Sequence, residues 1–352
     1  PKTLAKSDYA LVDKIEVVDP QTVRFILKSA NASFLSKLAV GIAPKHLLQG
    51  QEVATAAFNR KPVGTGPFKV EDWTAGQKVV LVANPHYFRG RPKLDKLIWQ
   101  ITPDSNVLTL QMLNGEVDGG PIINPKDLPK FKEKTNLKVY ESIGANTYVG
   151  FNNEKEPFND KRVRQALNYG LDKKAIIEKI LDGQGIQSTS EILANTWAYN
   201  PDVSKYDYDP AKAKSLLDDA GWKVGAAGIR EKDGKPLKFV LLTNTGDKLR
   251  EEIVLFIRQQ WRELGVDVEP QFLELNTFIN ERVLKSNFEA IFLSSSVNVD
   301  PDFLSRRWSS AALTTGHNFL RWANPEVDKL LAQGIAVTAQ PERKKIYDEI
   351  QR

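Results

Sequence analysis

Cysteine is absent from all 352 residues, which excludes disulfides, thiolate nucleophiles and cysteine-ligated metals together. The absence suits an oxidising compartment without requiring one. Histidine is scarce: His46, His86 and His317 are the three, and no His-Glu-x-x-His or equivalent spacing joins them. Each is therefore read as a loop or surface residue, and no metal is assigned. No apolar run approaches the roughly 18 residues that a membrane-spanning helix needs. The chain opens on Pro1-Lys2-Thr3, with neither an initiator methionine nor a signal-peptide pattern, so it is read as a mature or trimmed product.

An excess of one charge is missing too. Lys and Arg number 49 against 44 Asp and Glu, a net of +5, and stretches such as REKDGKPLK and PERKKIYDEIQR interleave the signs. Without a basic stripe carrying stacking aromatics, nucleic acid is not an expected partner. Nucleophile elbows of the Gly-x-Ser-x-Gly kind do not occur. GTGPFK (64–69) lacks the Gly-Lys-Ser/Thr ending of a phosphate loop, and Pro67 removes an amide that a phosphate cradle needs, so it is read as a tight turn. Carboxylate pairs such as Asp218-Asp219 fall on predicted helix surfaces. No catalytic residue and no cofactor is assigned, and the chain is not expected to be an enzyme.

What remains is an ordinary globular composition, 41% hydrophobic and 26% charged, with length enough for two or three domains. VDKIEVVDPQTVRFILK (12–28) alternates apolar and polar residues around Asp19-Pro20, a hairpin pattern. SNVLTLQMLNG predicts a helix with Val107, Leu110 and Leu113 on its apolar face, ended by Asn114-Gly115. NDKRVRQALNYGLD predicts a helix capped by Asn159 or Asp160, and DPAKAKSLLDDAGW one capped by Asp209 and ended by Gly221. Beyond these, LKFVLLTNT, VDVEPQFLEL and FEAIFL read as buried strands separated by the helices DKLREEIVLFIRQQWRELG and NTFINERVLKS. That alternation argues an open α/β sheet, whose ligands sit beyond the carboxyl ends of the strands. The last strand, read as ending at Leu293, empties into Ser294-Ser295-Ser296-Val297-Asn298 ahead of Asp300-Pro301.

The stretch VGTGPFKVEDWTAGQKVVLVANPHYFRGRPKLDKL (63–97) resembles the signature region of the family 5 extracellular solute-binding proteins, the receptors of peptide and nickel ABC importers. LNGEVD (113–118), YVGFNNEKEPFNDKRVRQALNYGLD (148–172), YDYDPAKAKSLLDDAGW (206–222) and NPEVDKLL (324–331) extend the resemblance in order along essentially the whole chain. The resemblance implies an α/β, two-lobe fold of the type II periplasmic-binding-protein kind with an extra subdomain, closing on solute by hinge motion. It divides the chain into a remnant of the extra subdomain (1–50), a partial lobe I (51–147) and a nearly complete lobe II (148–352). Segments that family members carry before and after these residues are expected to be missing, leaving lobe I incomplete. The implied partners are a small solute of the peptide, opine, sugar or metal-chelate class and a membrane permease. The implied location is periplasmic or extracellular, with any lipid anchor in a preceding segment, and the implied state is a monomer. A ligand-sensing or chaperone-like descendant without a transport role is the alternative.

The resemblance also bears on the serines. Peptide-binding members carry an aspartate for the peptide's amino terminus at the position of Val297, and a tryptophan near Ser294 or Ser295. Valine cannot balance an ammonium. The candidate ligand residues are therefore Ser294, Ser295, Ser296, Val297 and Asn298, lining a cleft remodelled for something other than a plain free-amino peptide. The alternative is that these hydroxyls only satisfy the backbone at a strand end. Trp197 and Tyr199 are candidates for an aromatic wall or for core packing, and Asn152 either touches solute or fixes the strand crossing. Arg307 and His317 flank the region without an assigned role.

Overall fold

The computed structural model describes residues 9–53, 55–122, 124–296, 300–315 and 317–352, which group into two units. The first is formed by Pro1–Ile26 and Leu35–Lys138. Strands β1 (Val12–Asp19) and β2 (Thr22–Leu27) make the expected hairpin, whose turn is held by the Gln21 amide donating to Asp19 Oδ1 at 2.7 Å. An antiparallel meander follows through β3 (Phe68–Thr74), β4 (Lys78–Ala83) and β5 (Lys96–Gln100). The Gly64–Phe68 stretch is a turn leading into β3. Asn84 pins it, its amide donating to Pro67 O at 2.8 Å and its Nδ2 to Gly66 O at 3.0 Å.

Helix α1 (Ser105–Asn114) is capped by Asp104, which accepts from the Asn106 and Val107 amides, and it ends at Gly115 with φ 74°. Its inward face differs from the sequence expectation. Val107 and Leu110 are 46% and 58% exposed, and the buried side chains are Thr109 and Met112. Thr109 on this inward face meets Asp127, a buried carboxylate that needs donors. Thr109 Oγ1 supplies one at 3.2 Å and Lys130 Nζ another at 2.6 Å.

The second unit comprises Leu27–Phe34 and Val139–Arg352. Its sheet holds β6 (Ala145–Phe151), β7 (Lys238–Asn244), β8 (Asp267–Leu273) and β9 (Ala290–Ser296) in the order β8-β7-β9-β6. The strand β7 runs parallel to both β8 and β9, while β6 is antiparallel to β9. The alternating α/β reading of this region is thus what the chain forms. Strand β9 does not stop at Leu293, however. It continues through Ser294, Ser295 and Ser296 because β6 runs beside it and pairs them with Thr147, Asn146 and Ala145.

One face of the sheet is covered by α2 (Lys161–Tyr169), α3 (Pro210–Asp219) and α4 (Lys248–Arg262), capped by Asp160, Asp209 and Asp247. Val163, Leu167, Leu217, Ile257 and Trp261 pack there on Phe239, Leu241 and Phe292. Trp261 is 1% exposed, and its Nε1 donates to Leu167 O at 2.9 Å, joining α4 to α2 through the core. Gly170 ends α2 where a Cβ would lie 2.2 Å from Leu264 Cδ1, so only glycine allows that approach. The other face packs Ile291 and Leu242 on Phe278, Phe319 and Leu320. A third cluster gathers Ile192, Ala198, Leu304, Leu331 and Tyr347 among α5 (Phe303–Trp308), α6 (Pro325–Ala336) and α7 (Gln340–Gln351).

Trp261→Ala is expected to cost the second unit about 3–5 kcal/mol through the cavity it leaves. Trp261→Phe is expected to cost about 1–2 kcal/mol, mainly through the unpaired Leu167 carbonyl. Urea unfolding followed by circular dichroism checks both; a negligible loss for Trp261→Phe would contradict the role given to the indole nitrogen, and equal losses for the two variants would contradict the cavity cost.

Candidate functional site

Strand alternation decides what the serines can do. Phe292 and Ser294 point to the α4 side of the sheet, and Ile291, Leu293 and Ser295 to the opposite side. Ser294 Oγ lies 2.8 Å from Thr147 Oγ1 and accepts from Arg250 Nη2 at 3.1 Å. Arg250 reaches over from the first turn of α4, its guanidinium 5.5 Å from the centre of the Phe292 ring. Ser295 Oγ accepts instead from Arg307 Nη1 at 3.0 Å, and Ser296 is exposed. The three serines are split across two faces and do not form one hydroxyl surface. Val297 and Asn298 lie outside the described residues.

The Ser295 face carries more chemistry. Arg307 Nη1 also donates to Glu191 Oε1, and the Trp308 indole nitrogen donates to Glu191 Oε2. The Glu191 backbone is tied to the sheet as well, since Asn146 Nδ2 donates to its carbonyl at 2.7 Å. Burial pushes the Glu191 carboxyl above its ordinary value, and Arg307 and Trp308 offset this only in part. Tyr148, opposite Leu293 in the ladder, has a buried Oη with no hydrogen-bond partner among the described residues, and burial raises its phenol. The Arg307 guanidinium lies 5.9 Å from the Tyr148 ring centre and 6.0 Å from that of Phe319. After the strand, Asp300 is held by two parallel bonds from Arg343, at 2.8 and 2.9 Å.

The other candidates fall elsewhere. Trp197 meets Tyr347 edge-on at 6.3 Å and stacks beneath Arg343 at 5.3 Å. Tyr199 Oη lies 3.2 Å from Thr189 Oγ1, and both aromatics pack on the third cluster. Asn152 is 2% exposed and donates to the Ser286 and Phe288 carbonyls at 3.0 and 3.2 Å. It follows Phe151, the partner of Ala290, whereas Ser296 pairs with Ala145. At roughly 3.4 Å per residue, the two ends are about 20 Å apart. Asn152 therefore ties the end of β6 to the segment that leads into β9, away from the serines. It borders a separate cavity of about 440 Å³ with Lys155, Lys285 and Arg321. His317 Nε2 sits 3.1 Å from Arg306 Nη2. Among the described residues no cluster of three or more His, Asp or Glu side chains could hold a metal.

Sequence reasoning missed Glu191, Tyr148 and Arg250. Glu191 sits in a loop more than a hundred residues from Arg307, and a lone glutamate beside ILAN (192–195) carries no signal of burial. Tyr148 was within reach, because the pairing of β6 with β9 puts it opposite Leu293 once the register is known.

An open α/β sheet whose carboxyl end presents fixed donors and acceptors has the form of a binding module. Residues 1–314 match the bacterial extracellular solute-binding proteins, family 5, and the chain belongs to that family. The oligopeptide-binding protein AppA of Bacillus subtilis (strain 168) is 33% identical over 357 residues, covering 98% of this chain and 65% of its own length. Heme-binding protein A of Haemophilus influenzae is 34% identical over 349 residues, covering 97% of this chain and 62% of its own length. Among solved structures, NikZ from Campylobacter jejuni in complex with Ni(L-His) superposes with a TM-score of 0.87 at 30% identity, over 98% of this chain and 70% of that one. The chain thus spans less than two thirds of the length of these two curated relatives. No helix among the described residues is long and apolar enough to cross a membrane.

The folded Glu191 carboxyl titrates above its ordinary 4.5, so the folded state holds this proton more tightly than the unfolded chain. Stability from the protonated group is full below pH 4.5 and is lost as pH rises through the folded value. Glu191→Gln cannot titrate. Its melting temperature relative to the parent is expected to rise between about pH 4 and about pH 7, and a gap that stays constant or moves the other way would contradict this.

Proposed function

We propose that the chain is the solute-capturing part of an ABC importer receptor, acting outside the cytoplasmic membrane as a monomer and handing its solute to a permease without chemical turnover. The observation that carries this reading is the set of fixed polar groups at the carboxyl end of β9, in a chain of family 5. AppA is an oligopeptide-binding protein and NikZ was solved with Ni(L-His), so the family's sites accept chemically different small solutes. The division into a subdomain remnant (1–50), a partial lobe I (51–147) and a lobe II (148–352) belongs to the same proposal.

The charge arrangement narrows the solute. Asp300 is engaged by Arg343, and Glu191 by Arg307 and Trp308. Val297 offers no carboxylate where the family resemblance implies an anchoring aspartate. Burying an ammonium beside such groups has no compensation. The solute is thus a polar, hydrogen-bonding molecule other than a plain free-amino peptide.

Native mass spectrometry of the purified protein, followed by denaturation and identification of what is released, tests this. A polar solute without a free primary amine is the expected result, and a bound free-amino peptide would refute the reading of Val297. Ser295→Trp is expected to abolish retention of that solute, because an indole displaces the Arg307 contact. Unchanged retention would remove Ser295 from the site.

A further inference from the structure

We propose that Arg307 is the anchor for a carboxylate on the solute, so that the captured molecule is a peptide-like acid held by its anionic end; this rests on the receptor reading above. A guanidinium offers five N–H donors in a planar fork. Arg307 uses Nη1 twice, on Glu191 and on Ser295. Its Nε and Nη2 donate to none of the described residues, and neither is among the buried atoms left without a partner. With 18% of the side chain exposed and neither nitrogen fully buried, the Nε–Nη2 edge is left for two parallel bonds to a carboxylate.

The other guanidiniums packed on the same region are differently placed. Arg343 is engaged through all three nitrogens, by Asp300 and by Gly334 O. Arg250 lies on the opposite face and directs Nη1 and Nη2 to Phe292 O and Ser294. Arg307 is also fixed before any ligand arrives, between the Tyr148 and Phe319 rings and against Ser295, so little side-chain freedom remains to be lost on binding. Glu191 balances part of the Arg307 charge, which lets the cation sit half-buried without ligand while its outer edge stays available.

The test uses the full chain and a pool of amino-acetylated di- to tetrapeptides, half with free carboxyl termini and half as amides. Protein and pool are mixed, separated by gel filtration, and the retained peptides identified by mass. The parent protein is expected to retain the acids about tenfold or more over the matching amides. Arg307→Lys, which keeps the charge beside Glu191 but not the fork, is expected to lower that ratio several-fold. The double variant Arg307→Gln/Glu191→Gln, which leaves no unpaired buried charge, is expected to bring it to about one. Circular dichroism confirms that each variant is folded. Equal retention of acids and amides by the parent overturns the carboxylate anchor while leaving the receptor reading intact, as does a preference that survives in the folded double variant. Retention of neither form overturns both.

Discussion

The pairing of β9 with β6 is the constraint on which the rest of the site depends. Strand β9 is central, parallel to β7 on one side, but β7 pairs with it only at Ala290 and Ile291. From Phe292 onward the ladder is carried by β6 alone, from Phe292 opposite Val149 to Ser296 opposite Ala145. A polar run of serines has little reason to remain extended by its own propensity. The antiparallel partner supplies the hydrogen bonds, and the register then assigns Ser294 to the face of Arg250 and Ser295 to the face of Arg307. A slip of one residue exchanges these environments and places Phe292 on the wrong side of the core.

The fold of the second unit was legible because its signals are local and redundant. Asp160, Asp209 and Asp247 cap the helices that follow them, and the apolar stripe through Ile253, Ile257 and Trp261 is the buried face of α4. The first unit was less so. The apolar residues of α1 suggested a face through Val107 and Leu110, yet Thr109 lies inward and meets Asp127. Periodicity counts apolar residues and cannot see a buried carboxylate eighteen positions away that needs a donor.

The polar strand end was legible in the sequence, but its arrangement was not. A strand end rich in serine is visible in the sequence; the alternation that divides it follows only once the strand is known to continue past Leu293. Asn152 does not join the serines for the same reason in reverse, because the antiparallel direction of β6 carries it to the far end of the sheet. The Arg307–Glu191 pair joins positions 116 residues apart, and nothing in either neighbourhood marks them as partners. Contacts of this kind are set by topology.

Two buried ion pairs sit close to one strand end, and their difference clarifies the charge logic of the site. Desolvation offsets much of the attraction in any buried pair, so neither is a strong argument for stability. What each does is hold a geometry. The Asp300–Arg343 pair is closed: both carboxylate oxygens and all three guanidinium nitrogens have partners, counting Gly334 O, which suits a joint between a turn and a helix. The Arg307–Glu191 pair is open on one side. The glutamate is engaged through both oxygens, by Arg307 and Trp308, while the arginine has an unbonded edge among the described residues. An arrangement that saturates the acid and leaves the base half-used is biased toward anions, since an approaching ammonium finds no free carboxylate in either pair and an approaching carboxylate finds a fixed fork.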